Sequence, residues 1–158
     1  MTSPAASGSS VPMPRIGLEA SVEKIVPPEW TLAAFDPKLP AVFSTPAMIG
    51  MMEIAASKAV LPDLPPGAIT VGTRIEVDHL KAVPAGTKVR TTARLVEYRG
   101  RFLVFDVETR AGETVLGRGR VFRALVEHGK FDAQAKARKQ KISKGTRRWK
   151  NHSSRAKN

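Results

Sequence analysis

Glu53 stands alone in its segment. Between Pro46 and Ser57 it is the only charged residue in a run of Ala, Met, Ile and Gly. A carboxylate in apolar surroundings is costly unless it is paired or protonated. Such a group can serve as a general base or a nucleophile. It can equally be a glutamate at a partly wet helix edge, satisfied by a hydroxyl or an arginine. His79 continues an alternating pattern in which Val71, Thr73, Ile75, Val77 and His79 share one strand face. It is a proton-transfer candidate, with a core histidine bonded to a backbone carbonyl as the alternative. Thr45 precedes Pro46 and reads as a helix N-cap. A carbonyl placed at that helix end would have its developing oxyanion stabilised by free N–H groups and the dipole. Arg123 alternates with Val115, Gly117, Gly119, Val121 and Leu125. That company implies a cavity or a buried acidic partner, or else an arginine that snorkels to water at a sheet edge. Gly117 and Gly119 either leave room for a ligand or mark a bend.

These residues need elements to hold them. Thr45-Pro46 predicts a helix start, because proline suits the first turn, where its missing N–H has no partner to lose. The helix predicted over 46–60 is apolar nearly all round, which marks a buried helix. A first strand is predicted over 15–26. Four more follow the helix, over 70–82, 87–98, 101–109 and 113–126, with turns at Arg99-Gly100 and Ala111-Gly112. An apolar helix that precedes such a meander must be wrapped by it, since nothing else in the chain can cover it. This is the α+β hotdog architecture: an antiparallel sheet curled around one long central helix. One chain cannot cover the helix on every side, so a homodimer is expected. Thr45 and Glu53, eight residues apart on a helix, are separated by about 12 Å at 1.5 Å per residue. If both act on one carbonyl they come from different subunits, and the active site straddles the dimer interface.

Composition narrows the classes. The chain has 158 residues, no cysteine and three histidines, His79, His128 and His152, none at ligand spacing from another. Disulfides, thiolate catalysis and a structural zinc site are therefore not expected, and a cytoplasmic protein is. No apolar run is long enough to span a membrane, and the Ser/Pro/Ala/Gly-rich start lacks the apolar core of a secretory signal. No phosphate-binding glycine motif is present. The net charge of +12 is uneven: residues 130–158 hold eleven Lys/Arg against the single acid Asp132. The expected organisation is a disordered segment 1–14, a domain 15–131, and a basic, disordered tail 132–158. A nucleic acid or an acidic partner could bind the tail at 133–158, where Trp149 could stack on a base; a simply solvated tail is the plainer reading.

The chain resembles the fluoroacetyl-CoA thioesterase-like branch of the hotdog thioesterases. The resemblance rests on Val42-Phe43-Ser44-Thr45-Pro46-Ala47-Met48-Ile49-Gly50-Met51-Met52-Glu53, on Val71-Gly72-Thr73 through Asp78-His79, and on Gly119-Arg120-Val121-Phe122-Arg123-Ala124. The family's Thr, Glu and His positions fall on Thr45, Glu53 and His79. Its substrate-side glycine falls on Gly72 and its active-site arginine on Arg123. The resemblance implies hydrolysis of an acyl-CoA thioester by a homodimer or a higher oligomer, with no metal and no cofactor, CoA being part of the substrate. The family's fluoroacetyl-specific member has lid phenylalanines where this chain has Asp36 and Leu39, so fluoroacetyl selectivity is not expected. A hotdog hydratase is disfavoured, because Arg74 stands five residues before His79 where that group has aspartate. A non-catalytic acyl-CoA-binding module is the remaining alternative.

Overall fold

The computed structural model describes residues 13–155, with side chains described through residue 146. Strand β1 spans Glu19–Ile25, and two short 3₁₀ turns, Pro28–Trp30 and Leu32–Ala34, lead to helix α1, Thr45–Val60. After a third turn at Leu61–Asp63 come β2 (Ala68–His79), β3 (Lys88–Arg99), β4 (Phe102–Ala111) and β5 (Thr114–Glu127). Helix α2, His128–Arg155, follows β5 without a break.

The start of α1 differs from expectation by one residue. Ser44, not Thr45, is the cap: its backbone is extended and its hydroxyl accepts from the Ala47 N–H at 3.4 Å. Ser44 is buried and its own N–H donates to the Trp30 carbonyl, so the chain entering the helix is fixed from both sides. Thr45 becomes the first helical residue, and its hydroxyl is released from capping.

The helix buries Met48, Met51, Met52, Ala55, Ala56, Ala59 and Val60 against the sheet. The facing side chains include Val89, Leu95, Leu103, Phe105, Leu116 and Val121, all fully buried. Burying each large apolar side chain contributes on the order of 1.5–3 kcal/mol, so this layer supplies the main favourable term for folding. Among the described residues the opposite side of α1 is not covered: Ile54 is 48% exposed, and Lys58 is also exposed.

All five strands are antiparallel, in the order β1-β3-β4-β5-β2. Only β3, β4 and β5 form the predicted meander, turning at Gly100 and Gly112, which take the left-handed φ values of +60° and +54°. β2 does not pair with β3. It lies at the far edge against β5, and residues 80–87 carry the chain across. This connector is tied to the segment before α1 through Phe43 N–H to the Val83 carbonyl, Ala85 N–H to the Ala41 carbonyl and a bridge between Val42 and Pro84. Pro84 has no N–H to give a ladder, which favours a crossover here over a tight hairpin.

Gly117 adjoins an irregularity, the β4–β5 register shifting where Thr109 faces Gly117 and Arg110 faces Val115, which fits the bend reading of the two glycines. A Cβ at Gly117 would lie 2.6 Å from the Met48 side chain, and one at Gly119 would overlap the Glu76 carbonyl and lie 2.6 Å from Val77 Cα. These glycines permit close packing of α1 and β2 on β5 and open no ligand space. The segment expected as a disordered tail is helical from His128, since Ala, Lys, Arg and Gln are strong helix formers. Its side chains from His128 to Thr146 are all exposed. The segment expected to be disordered at 1–14 lies outside the described residues except for Met13 and Pro14. Among the described residues no helix is long and apolar enough to cross a membrane.

Gly119→Ala is expected to destabilise the domain by about 1–3 kcal/mol, because the clash is with backbone that cannot rotate away. Thermal denaturation beside Gly67→Ala, a glycine with positive φ and open space around it, separates the packing cost from backbone strain.

Candidate active site

The side chains singled out from the sequence form two clusters along α1. At its N-terminus the Thr45 hydroxyl is hydrogen-bonded to His79 Nδ1 at 2.8 Å. The His79 ring packs edge-on against Phe43, with centroids 6.3 Å apart and planes at 75°, and Phe43 in turn stacks on Trp30. The imidazole is thus held both by a hydrogen bond and by a wall of aromatic rings. Its Nε2 is buried and has no hydrogen-bond partner. When the Thr45 hydroxyl donates to Nδ1, Nε2 carries the proton; in the reverse arrangement Nε2 is an acceptor. Either way it is held in place with a donor or acceptor site left open.

Two turns further along α1, Glu53 forms an ion pair with Arg123 of β5 through Oε2 and Nη1. Arg123 is 6% exposed. Its Nε donates to the Thr70 hydroxyl at 2.9 Å and its Nη2 to the Thr70 carbonyl at 2.8 Å. The guanidinium therefore spends its fork on one residue of β2 and one carboxylate of α1. The Glu53 carboxylate lies directly over Gly72, where a Cβ would stand 2.6 Å from Oε2 and 2.9 Å from Oε1. Oε1 is buried and has no partner. Among the described residues, Glu53 Oε1 and His79 Nε2 are the buried side-chain polar atoms left unsatisfied. Buried polar groups are normally satisfied, so unsatisfied ones mark places where the fold has been set for something else.

The FlK family model, described as fluoroacetyl-CoA-specific thioesterase, matches residues 26–129. The fluoroacetyl-CoA thioesterase of Streptantibioticus cattleyicolor is 35% identical over 128 residues, covering 77% of this chain and 92% of that protein. The chain belongs to the FlK thioesterase family. A solved structure of the fluoroacetyl-CoA thioesterase FlK superposes with a TM-score of 0.73 at 35% identity, covering 78% of this chain and 96% of that one. A hot-dog-like protein from Thermanaerovibrio acidaminovorans, 23% identical, superposes with a TM-score of 0.71 over 78% of this chain and 91% of that one. The fold is therefore the hotdog, and membership makes the chain a thioester hydrolase.

Within this FlK-family chain, one irregularity brings Gly72 and His79 to the same side of β2. They are seven residues apart, so a regular strand would point them to opposite faces. The register against β5 shifts between Gly72 and Arg74, with Thr73 as the extra residue and its hydroxyl bonded to the Phe122 carbonyl at 3.1 Å. Thr70 and Gly72 face α1 before this bulge, and Ile75, Val77 and His79 after it. The sequence pattern placed Val71 and Thr73 on the His79 face; the bulge reverses that assignment. A glycine inside a strand is the signal that announces such a break.

Thr70, Phe43 and Ser44 had no assigned role in the sequence pattern, yet they anchor Arg123, wall His79 and cap α1. Thr70 was hidden because the bulge scrambles the parity that would have found it. A broad groove on the outer face of the sheet, lined by residues such as Lys88, Arg90, Asp106 and Arg120, contains neither cluster. Its charges pair with one another, Lys88 and Arg90 with Glu23 and Arg120 with Asp106. Among the described residues no three His, Cys, Asp or Glu side chains could jointly hold a metal.

Arg123→Ala should cost about 3 kcal/mol, because it leaves the Glu53 carboxylate and Thr70 unpaired. Combined with Glu53→Gln the loss should be smaller by at least about 1 kcal/mol, since no unpaired charge remains. Urea denaturation of the two single variants and the double variant measures this, and strict additivity would show that the pair does not interact.

Proposed function

We propose that this chain hydrolyses a small acyl-CoA thioester to the free acid and CoA. The observation that carries this reading is the pair of held, unsatisfied atoms, Glu53 Oε1 and His79 Nε2, on the inner faces of α1 and β2. The relative in Streptantibioticus cattleyicolor, named as a fluoroacetyl-CoA thioesterase, supports the substrate class.

The thioester carbonyl sits at the N-terminus of α1, where the Thr45 N–H and the positive end of the helix dipole receive its oxyanion, while the Thr45 hydroxyl donates to His79 Nδ1 and keeps the proton on Nε2. Glu53 acts by one of two balanced routes. In the first, its carboxylate attacks the carbonyl carbon, the C–S bond breaks, His79 protonates the departing thiolate, and water opens the resulting anhydride. In the second, Glu53 takes a proton from a water that attacks the carbonyl carbon, the tetrahedral intermediate collapses with cleavage of the C–S bond, and His79 protonates the departing thiolate. Arg123 holds Oε2 so that Oε1 faces the substrate, and Gly72 leaves room for the acyl carbon beside it.

A homodimer completes this site. Thr45 lies two helical turns from Glu53, about 12 Å along the axis. Thr45 and the Ile54 side of α1 are exposed within one chain. A two-fold arrangement that buries this side would set Thr45 and His79 of one protomer beside Glu53 and Gly72 of its partner. At the positions corresponding to the family's lid aromatics, Asp36 and Leu39 are exposed, so we assign no preference for fluoroacetyl over acetyl. A CoA-linked substrate and a cysteine-free chain suit the cytoplasm.

Glu53→Gln should lower kcat by on the order of 10²–10⁴-fold across a panel of short, branched, aromatic and halogenated acyl-CoAs, the range expected when a positioned base is removed, with the melting transition still cooperative. Near-normal turnover by this variant would overturn the assignment. Mixing Thr45→Ala and Glu53→Gln protomers under conditions of proven subunit exchange should restore activity, because one site of each hybrid has both residues intact; absence of rescue would place each site within one chain.

A further inference from the structure

Helix α2 takes no part in the site. It leaves β5 at His128, whose N–H donates to the Gly67 carbonyl, and every described side chain from His128 to Thr146 is exposed. A helix spanning His128–Arg155 is about 42 Å long at 1.5 Å per residue. Isolated helices are marginal in water, and an exposed one earns no stability from packing. The charge on it is lopsided: residues 130–155 hold ten Lys/Arg and one acid, while the chain before residue 130 is nearly balanced. Two described cations are used locally, Lys130 on Glu127 at 3.0 Å and Lys136 on Asp132 at 2.7 Å. Among the described residues Arg138, Lys139, Lys141 and Lys144 make no ion pair.

The arrangement of these side chains selects the kind of partner. At 3.6 residues per turn, Lys136, Lys139, Lys141 and Lys144 point to widely different sides of the helix. The exposed apolar residues Phe131 and Ile142, with Ala135, fall within a strip of roughly 40°. A helix that buries one side in lipid or against a protein core needs an apolar stripe of about 100° or more. Among its described residues α2 therefore has no face to insert into a bilayer. A second copy of α2 is repelled by like charge. What matches a long helix with cations on most sides is a polyanion with closely spaced charges that can contact it from more than one direction, as the phosphate backbones flanking a groove do.

We propose that α2 binds the phosphate backbone of duplex nucleic acid without reading its sequence, tethering the thioesterase domain to it. Binding is dominated by release of counterions, so it is steeply dependent on salt. The domain's own chemistry is not involved, and this inference does not rest on the acyl-CoA reading.

The test uses the full chain and fluorescein-labelled duplexes of about 30 base pairs, DNA and RNA in separate arms, read by anisotropy between 50 and 200 mM salt. Engagement of six or more phosphates predicts a fall in affinity of roughly 10³-fold or more over that range. A variant with Lys136, Arg138, Lys139, Lys141 and Lys144 all changed to Gln keeps helix propensity, checked by circular dichroism. It should lose binding by at least about 30-fold at 50 mM salt and show a shallower salt dependence, with acyl-CoA hydrolysis unchanged. A matched variant with the four lysines changed to Arg should bind like the parent. Vesicles containing phosphatidylserine serve as the competing anionic surface. Undetectable duplex binding at 50 mM salt, binding unaffected by the glutamine variant, or a preference for the vesicles over both duplexes would overturn the proposal.

Discussion

The Glu53–Arg123 pair joins the central helix to the sheet, and much of the molecule can be understood as the means of keeping it. A carboxylate on a helix packed with methionine and alanine has no inexpensive place to go. Arg123 supplies the countercharge, but a guanidinium at 6% exposure is itself costly. Thr70 satisfies the remainder of its fork with both a hydroxyl and a carbonyl. Thr70 can do so only because β2 lies beside β5, which in turn requires the chain to cross the molecule after His79. A local electrostatic demand is met by a feature of the whole topology.

The bulge at Thr73 shows the same coupling at shorter range. It lets one strand present Gly72 to Glu53 and His79 to Thr45, although these positions differ in parity. Two chemically distinct clusters are thereby mounted on the same strand and helix, each with one polar atom left unsatisfied toward the interior. Rigid elements carry both, and neither depends on a loop for its position.

Much of this was legible in the sequence wherever the controlling physics is local. Proline in the first turn located α1, and the turn glycines Gly100 and Gly112 located the β3–β4–β5 hairpins. The lone charge at Glu53 and the arginine among small apolar neighbours at Arg123 each had a partner of opposite sign as one of their readings, and the ion pair realises it. What escaped was decided at long range or by a broken period. The choice of β5 over β3 as the neighbour of β2 depends on how residues 80–87 pack against residues 41–43. Thr70 was invisible because a single inserted residue inverted the pattern used to read the strand. At α2 two local signals compete: charge and low hydropathy argue for disorder, and the intrinsic propensity of Ala, Lys, Arg and Gln for the helix that the structure has.

Ser44 and Thr45 are adjacent hydroxyl residues with separate duties: Ser44 caps α1 and Thr45 meets His79. Had one residue done both, any change to the hydroxyl that meets His79 would also have weakened the helix, by roughly 1 kcal/mol for a lost cap. Dividing the work uncouples the two. Variation at position 45 can alter the contact with His79 while the helix end stays closed, so change at this position is insulated from the thermodynamics of the fold.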